Sequence, residues 1–339
     1  MRPLAGVRVV ELAQLVSAPY CGTLLAQLGA DVVKIEPPRG DMARQFGPFQ
    51  DGESAYFRAV NRDKRLHTLD LATPEGRAAL AAELTDADVL LHNLRVGAAQ
   101  RLGVTAAQLR AEYPRLVACE VSAFGPDEDR VGVDLVFQAE SGLMQVTGRA
   151  GDPPTRAGTN VPDFYAALCA FGGVLAALRE RDRTGLAPAV SVSVLGATIA
   201  LQTCWFAAHD AGAAIGQLGN ASPFSAPTGS FAARDRPVVV SVVNDVHWQQ
   251  FCRVLDRADL AADLRFVDND GRCAHRAELD DLLAPTFADR TAAAWQADFH
   301  AAGLPLALAL DYDEVRSAWP ACFEDHGGLA VPVAPFQLS

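Results

Sequence analysis

Val7-Arg8-Val9-Val10-Glu11-Leu12, a helical pattern over residues 18–28 and then Asp31-Val32-Val33-Lys34-Ile35 form the stretch that decides the fold. Two apolar, β-branched runs separated by one helical segment spell a βαβ unit, because parallel neighbours need a crossover connection of about a dozen residues. The unit recurs. Pro74, following Thr73, opens an Ala- and Leu-rich helix over 74–84 that leads to an apolar strand over 88–91. A third helix, capped by Thr105, runs toward Tyr113 and feeds a strand over 116–121. Alternation of this kind predicts an α/β fold, with a Rossmann-like parallel sheet carrying helices on both faces.

Residues 125–162 are rich in Gly, Pro and Asp, which predicts a loop-rich region near a site. The segment 164–179 is almost wholly apolar and predicts a buried helix, with Gly172 and Gly173 allowing close contact; a strand over 189–194 and a helix over 195–208 follow. Small residues at 211–222 mark a linker. Beyond it a strand over 237–243 and helices over 245–255, 276–283 and 291–301 predict a smaller α/β domain. The expected boundaries are therefore 1–210 for the large domain, 211–222 for the linker, 223–305 for the small domain and 306–339 for a C-terminal linker.

Composition excludes several classes of function. With 339 residues the chain is long enough for two cores. A net charge of −12 argues against general affinity for nucleic acid or an anionic membrane, which need clustered Lys and Arg. The seven cysteines are scattered and odd in number, which fits a reducing compartment. The first six residues lead straight into a strand without a signal-peptide core, so a cytoplasmic location is the expectation. The longest apolar stretch, 166–178, falls short of the roughly 20 residues that span a bilayer. No GxGxxG follows the first strand, and there is no GxxxxGK[ST], GxSxG or HExxH; the seven histidines lack metal-ligand spacing. Neither a metal nor a permanently bound cofactor is expected.

Further blocks carry more information. They are Gly6-Val7-Arg8-Val9-Val10-Glu11-Leu12, Ser17-Ala18-Pro19, Leu28-Gly29-Ala30-Asp31-Val32-Val33-Lys34-Ile35-Glu36-Pro37-Pro38 and Asn61-Arg62-Asp63-Lys64-Arg65. Next come Leu69-Asp70-Leu71-Ala72-Thr73-Pro74-Glu75-Gly76, Asn93-Leu94-Arg95-Val96-Gly97 with Arg101-Leu102-Gly103, and Asp134-Leu135-Val136-Phe137-Gln138-Ala139 with Ser141-Gly142-Leu143-Met144. Residues 154–158 then lead to Asp163, and Pro223-Phe224, Asn244-Asp245 and Trp248 follow. In this order the blocks resemble the class III coenzyme A transferases, the carnitine and bile-acid CoA-transferase family that also contains 2-methylacyl-CoA racemases.

The resemblance implies a CoA transferase that moves CoA from an acyl-CoA thioester to a small carboxylic acid. Its implied nucleophile is Asp163, acting through an aspartyl anhydride and an aspartyl-CoA thioester, with coenzyme A and acyl-CoA as substrates. It also implies that Leu15, Val16, Ser17 and Ala18 contact the pantetheine end and that Asn93 and Leu94 line the nucleotide cleft. Arg44 and Arg101, with Arg39 and Arg95 as further candidates, would meet the phosphates, and Leu69, Ala72 and Asp134 would complete the CoA site. Without the resemblance, Pro162-Asp163 ahead of an apolar helix reads as a helix cap and the arginines as solvated charge. The family also implies a homodimer, interlocked in its relatives.

Three departures qualify the match. The sequence ends at Pro335-Phe336-Gln337-Leu338-Ser339, where the family pattern continues with "G-E-H-T" and a helix returning to the large domain, which leaves interlocking, though not dimerisation, open. The family's "R-x-G-x-G-Q-x-V-D-V-S" reads Arg183-Thr184-Gly185-Leu186-Ala187-Pro188-Ala189-Val190-Ser191-Val192-Ser193, and Val16 stands where some members carry Gln. Alternatives left open are an acyl-CoA hydrolase, in which water resolves the Asp163 adduct, and a non-catalytic CoA-binding homologue. Racemisation is not expected, because Gly132-Val133-Asp134 has Val133 where the racemases need a proton-carrying His.

Overall fold

Val9 and Val10 have no solvent exposure, and neither do Val89, Leu90 and Leu91, so the strands that carry them are covered on both faces, as central strands of a parallel sheet are. The structure is a computed structural model and describes residues 2–336. Six parallel strands form its main sheet: β1 (Arg8–Leu12), β2 (Asp31–Glu36), β3 (Arg65–Thr68), β4 (Val89–His92), β5 (Val117–Ser122) and β6 (Val190–Ser193). Their order is β3-β2-β1-β4-β5-β6, with Val9 opposite both Val32 and Val89. The expected Rossmann-like sheet is present. Its order reverses between β1 and β4, and open sheets of this type bind ligands beyond the carboxyl ends of the strands at such a reversal.

The helices of this unit are α1 (Ser17–Gln27), α2 (Ala55–Asn61), α3 (Pro74–Thr85), α4 (Val96–Leu102), α5 (Ala106–Glu112), α6 (Asp134–Glu140), α7 (Val161–Thr184) and α8 (Val194–Leu201). Local chemistry starts α3 and α5 where the sequence predicts, whereas α2, α4 and α6 were not anticipated. Thr73 accepts from the Gly76 N–H ahead of Pro74, and Thr105 forms a capping box with Gln108. Helix α7 begins earlier than expected. Asn160 precedes it and Pro162 occupies its first turn, so Asp163 is a first-turn residue and not the cap.

By length and composition α7 could cross a bilayer. Here its Ala166, Ala167, Ala170 and Val174 are fully buried and join Cys21, Leu24 and Leu25 of α1 in one core cluster on the sheet. Each buried Leu contributes about 1.5–3 kcal/mol. On the opposite face Leu80, Leu84 and Leu109 cover Val10, Val33 and Leu90. The single helix expected over 195–208 is broken: α8 ends at Leu201, and the Gln202 amide donates to the Thr198 and Ser141 carbonyls at 3.0 Å each.

A second compact unit comprises Met144–Thr155 and Cys204–Pro320. Its antiparallel strands β7 (Thr228–Ala232), β8 (Pro237–Ser241) and β9 (Leu306–Leu308) run in the order β9-β8-β7. Val238 and Val240 are buried while Val239 is exposed, the alternation of a sheet with one face in a core. That core is aromatic, built from Trp248, Phe251, Phe266, Phe287, Trp295 and Phe299.

The partition differs from the boundaries drawn on composition. Residues 144–155 and 204–210 belong to the second unit, and the chain from Ala321 returns to the first. There β10 (Phe323–Asp325) pairs with β11 (Ala330–Pro332), the buried Arg62 donates to the Pro332 carbonyl at 2.6 Å, and Phe336 stacks on Phe171 at 5.5 Å between centroids. Residues 337–339 of the expected C-terminal linker lie outside the described residues.

Candidate active site

A cleft of about 470 Å³ opens at the switch point of the first unit. The end of β5 and the segments that lead from β1, β4, β5 and β6 into the next helices supply Leu15–Ser17, Asn93–Val96, Val121–Ala123 and Val194, and α6, α7 and their leading segments supply Asp134, Arg156, Asn160 and Asp163. Phe46 and Tyr56 close another side, their rings edge-on at 5.9 Å.

The loop after β1 is held from below by buried charge. Lys34 donates to the Ala13 carbonyl at 2.6 Å and to Glu11 at 3.0 Å and pairs with Asp41 at 2.9 Å; Glu11 pairs also with Lys64 at 2.8 Å. All four side chains lack solvent exposure. Charges so buried persist only when paired and hydrogen-bonded. Asp41 also accepts from the Leu15 N–H at 3.1 Å, and Leu15 stands at φ +68, a left-handed conformation uncommon for a residue with a side chain. Asn93 ties the same loop from the other side, accepting from Gln14 N–H at 3.0 Å and donating to its carbonyl at 2.8 Å. The cleft wall is therefore pre-arranged by charges in and beside the strands that never reach solvent.

Of the four acids that line the cleft, Glu128, Asp129, Asp134 and Asp163, the last two have raised carboxyls. Burial pushes the Asp163 carboxyl up to about 6, the negative charge of Asp134 adds to this, and a hydrogen bond with the Asn160 side chain opposes it. A rise of that size disfavours the carboxylate by on the order of 2–3 kcal/mol. Burial also raises Asp134, against the hydrogen bond from Gln138 at 2.7 Å and the charge of Arg156, 3.7 Å away. Tyr56 is pushed up to about 12, by burial first and then by the charges of Asp163 and Asp134, so its hydroxyl stays protonated beside them.

Of the residues anticipated from sequence, Leu15, Val16, Ser17, Asn93, Leu94, Asp134 and Asp163 line this cleft. Ala18 is fully buried within α1 instead. Arg44 is turned to Glu36, which it grips through hydrogen bonds of 2.8 and 2.7 Å while lying over the Phe57 ring. Leu69 packs on the core beneath α3, Ala72 is exposed in the turn that precedes that helix, and Arg101 is exposed in the last turn of α4; none of them lines the cleft. Arg39 is exposed elsewhere, whereas Arg95 is on the cleft wall, paired with Asp129 at 3.5 Å. Sequence reasoning missed Phe46, Tyr56, Arg130 and Arg156. Arg156 had a visible signal, since it lies within the 154–158 block that leads to Asp163. No group of three acidic, His or Cys side chains able to hold a metal occurs among the described residues.

The model of CoA-transferase family III matches residues 4–324. The chain belongs to CoA-transferase family III. It is 35% identical, over 99% of its length and 89% of the relative's, to an acetyl-CoA:oxalate CoA-transferase from Acetobacter aceti. A succinyl-CoA:mesaconate CoA-transferase from Haloarcula hispanica is 36% identical over 84% of this chain and 74% of its own. Among solved structures, a CAIB/BAIF family protein from Brucella suis superposes with a TM-score of 0.87 at 29% identity, covering 99% of this chain and 93% of that one. Membership of CoA-transferase family III makes this chain an enzyme of CoA transfer that uses CoA thioesters. It also puts Val133 in context: this residue sits on the cleft wall, 53% exposed, and has no proton to give.

Proposed function

We propose that the protein transfers CoA from an acyl-CoA to a small carboxylic acid by covalent catalysis at Asp163. The observation that carries this reading is a half-buried carboxyl, raised to about 6, on the wall of the switch-point cleft. At neutral pH it is ionised yet poorly solvated, and so more basic and more nucleophilic than an ordinary carboxylate. An Asp163 oxygen attacks the thioester carbonyl, the C–S bond breaks, and CoA leaves as thiolate. The thiolate attacks the Asp163 side of the anhydride, releasing the donor acid and leaving an aspartyl-CoA thioester. The acceptor carboxylate then attacks the aspartyl-CoA carbonyl, expelling the CoA thiolate and forming a second anhydride; the thiolate attacks its acceptor-side carbonyl, and the Asp163 carboxylate leaves. Asp163 is regenerated without net change of protons or electrons.

Within this reading Leu15, Val16 and Ser17 contact the pantetheine end, Asn93 and Leu94 line the nucleotide cleft, and Arg101, exposed outside the cleft lining, reaches a phosphate of CoA. Two of the relatives are named for oxalate and mesaconate, which supports a short, polar acid as acceptor. Incubation with a panel of acyl-CoAs and acids, followed by chromatography of the CoA esters, tests the function: acceptor-CoA should accumulate only when donor and acid are both present. Release of free CoA without an acceptor would replace transfer by hydrolysis. Arg101→Ala should weaken CoA binding in a titration, and an unchanged affinity would remove Arg101 from the site.

A further inference from the structure

Three arginines line the cleft, and they differ in what occupies them. Arg130 grips Glu140 through hydrogen bonds of 2.7 and 2.8 Å and lies 3.8 Å from the centre of the Phe124 ring. Arg95 pairs with Asp129 and donates to its carbonyl at 2.9 Å. Arg156 is bonded only through Nε, to the Ala157 carbonyl at 3.2 Å; among the described residues its two Nη groups make no hydrogen bond. The nearest acid oxygen, on Asp134, is 3.7 Å from Nη2, beyond bonding range.

Asp134 has another partner. The fully buried Gln138 donates to it at 2.7 Å and accepts from the Ala157 N–H at 2.8 Å, so one amide holds both the acid and the backbone beside Arg156. A guanidinium with free Nη groups, held on the wall of a cleft that also contains a nucleophilic acid, matches a carboxylate through two parallel N–H···O bonds. We propose that Arg156 selects the acceptor, binding the distal carboxylate of a dicarboxylic acid whose other carboxylate reacts at Asp163. This rests on the transferase reading above. The same fork would fit a phosphate of CoA, and the two sources separate experimentally.

Steady-state transfer is measured for wild type, Arg156→Gln and Arg156→Lys, with acetyl-CoA as donor and succinate or butyrate as acceptor. The KM of acetyl-CoA serves as internal reference. One lost charge-assisted contact raises the succinate KM about 10- to 100-fold in Arg156→Gln, with partial recovery in Arg156→Lys, while butyrate and acetyl-CoA change less than about threefold. A rise confined to the KM of acetyl-CoA would assign Arg156 to phosphate and overturn the proposal. Equal losses for succinate and butyrate, or no loss for either, would overturn it too. A wild type that transfers CoA to no acid and forms no covalent adduct would instead remove the transferase reading, and this inference with it.

Discussion

Asp163 is pulled in opposite directions by its surroundings. In the first turn of α7 it meets the positive end of a helix dipole, which favours a carboxylate by about 0.3–1 kcal/mol. Burial and Asp134 act the other way and prevail, leaving the carboxyl near 6. In the proposed mechanism only the carboxylate attacks, so kcat/KM is expected to rise with pH along an acid limb centred near 6. Asp134→Asn removes the second cause of the rise, so the limb should move to lower pH; a pH–rate profile with an unmoved limb would contradict its assignment to Asp163. Stability follows with the opposite sign. A carboxyl whose folded pKa exceeds its ordinary 3.8 costs stability once ionised: nothing well below 3.8, the full cost above about 6. Asp163→Asn has nearly the same shape without the charge, so it should melt at or above the wild-type Tm at pH 7.5, and that advantage should disappear toward pH 4. A lower Tm at pH 7.5 would show that the charge supports the fold. At this scale Asn93 and Ser17 were legible because they belong to family-like blocks just after strands, Leu15 and Val16 because they join two such blocks, and Asp163 because it follows the 154–158 block at the start of an apolar helix. Tyr56 and Arg130 were not, since their place on the cleft wall depends on how helix α2 and the loop before α6 fold over the sheet, which sequence spacing does not describe.

Helix α7, which carries Asp163, packs closely on β6 at one of its two adjacent glycines. A methyl on Gly173 would come within 2.6 Å of Val190 Cγ1 on β6, whereas one on Gly172 would meet nothing within 4 Å. Both positions gain up to about 1 kcal/mol of helix propensity on becoming Ala. Only Gly173→Ala also forces a stiff β-branched neighbour aside, at about 1–3 kcal/mol. Urea unfolding should therefore show Gly172→Ala stabilised and Gly173→Ala destabilised; stabilisation of both would mean that the contact with β6 yields freely. The sequence treated the two glycines alike, because it shows that a helix is packed and not which side faces the strand. Most elements of the main sheet were legible from their apolar runs. Strand β3 was not: all four residues of Arg65–Thr68 are exposed and carry no alternation of apolar and polar side chains.

For the molecule as a whole, the two units were anticipated but their membership was not. Composition changes near residue 211, yet the chain enters the second unit twice and returns to the first from Ala321. That return depends on Arg62 reaching the Pro332 carbonyl and on Phe336 stacking on Phe171, contacts between residues more than 160 positions apart. The buried Lys34, Glu11, Lys64 and Asp41 are equally hidden in a sequence, where charges in and near strands suggest solvent-facing positions. Such a network fixes the loop beneath the cleft before any substrate arrives, and it gives the central claim a demanding form, in which one carboxylate in a preformed site carries the covalent chemistry. Intact-mass spectrometry of the wild type and Asp163→Asn after brief incubation with acyl-CoAs tests that claim most directly. The account predicts an acyl or CoA adduct on the wild type, mapped to Asp163 by peptide fragmentation, with no adduct and no CoA transfer in a folded Asp163→Asn. Transfer retained by that folded variant, or an adduct mapped to another residue, would contradict it.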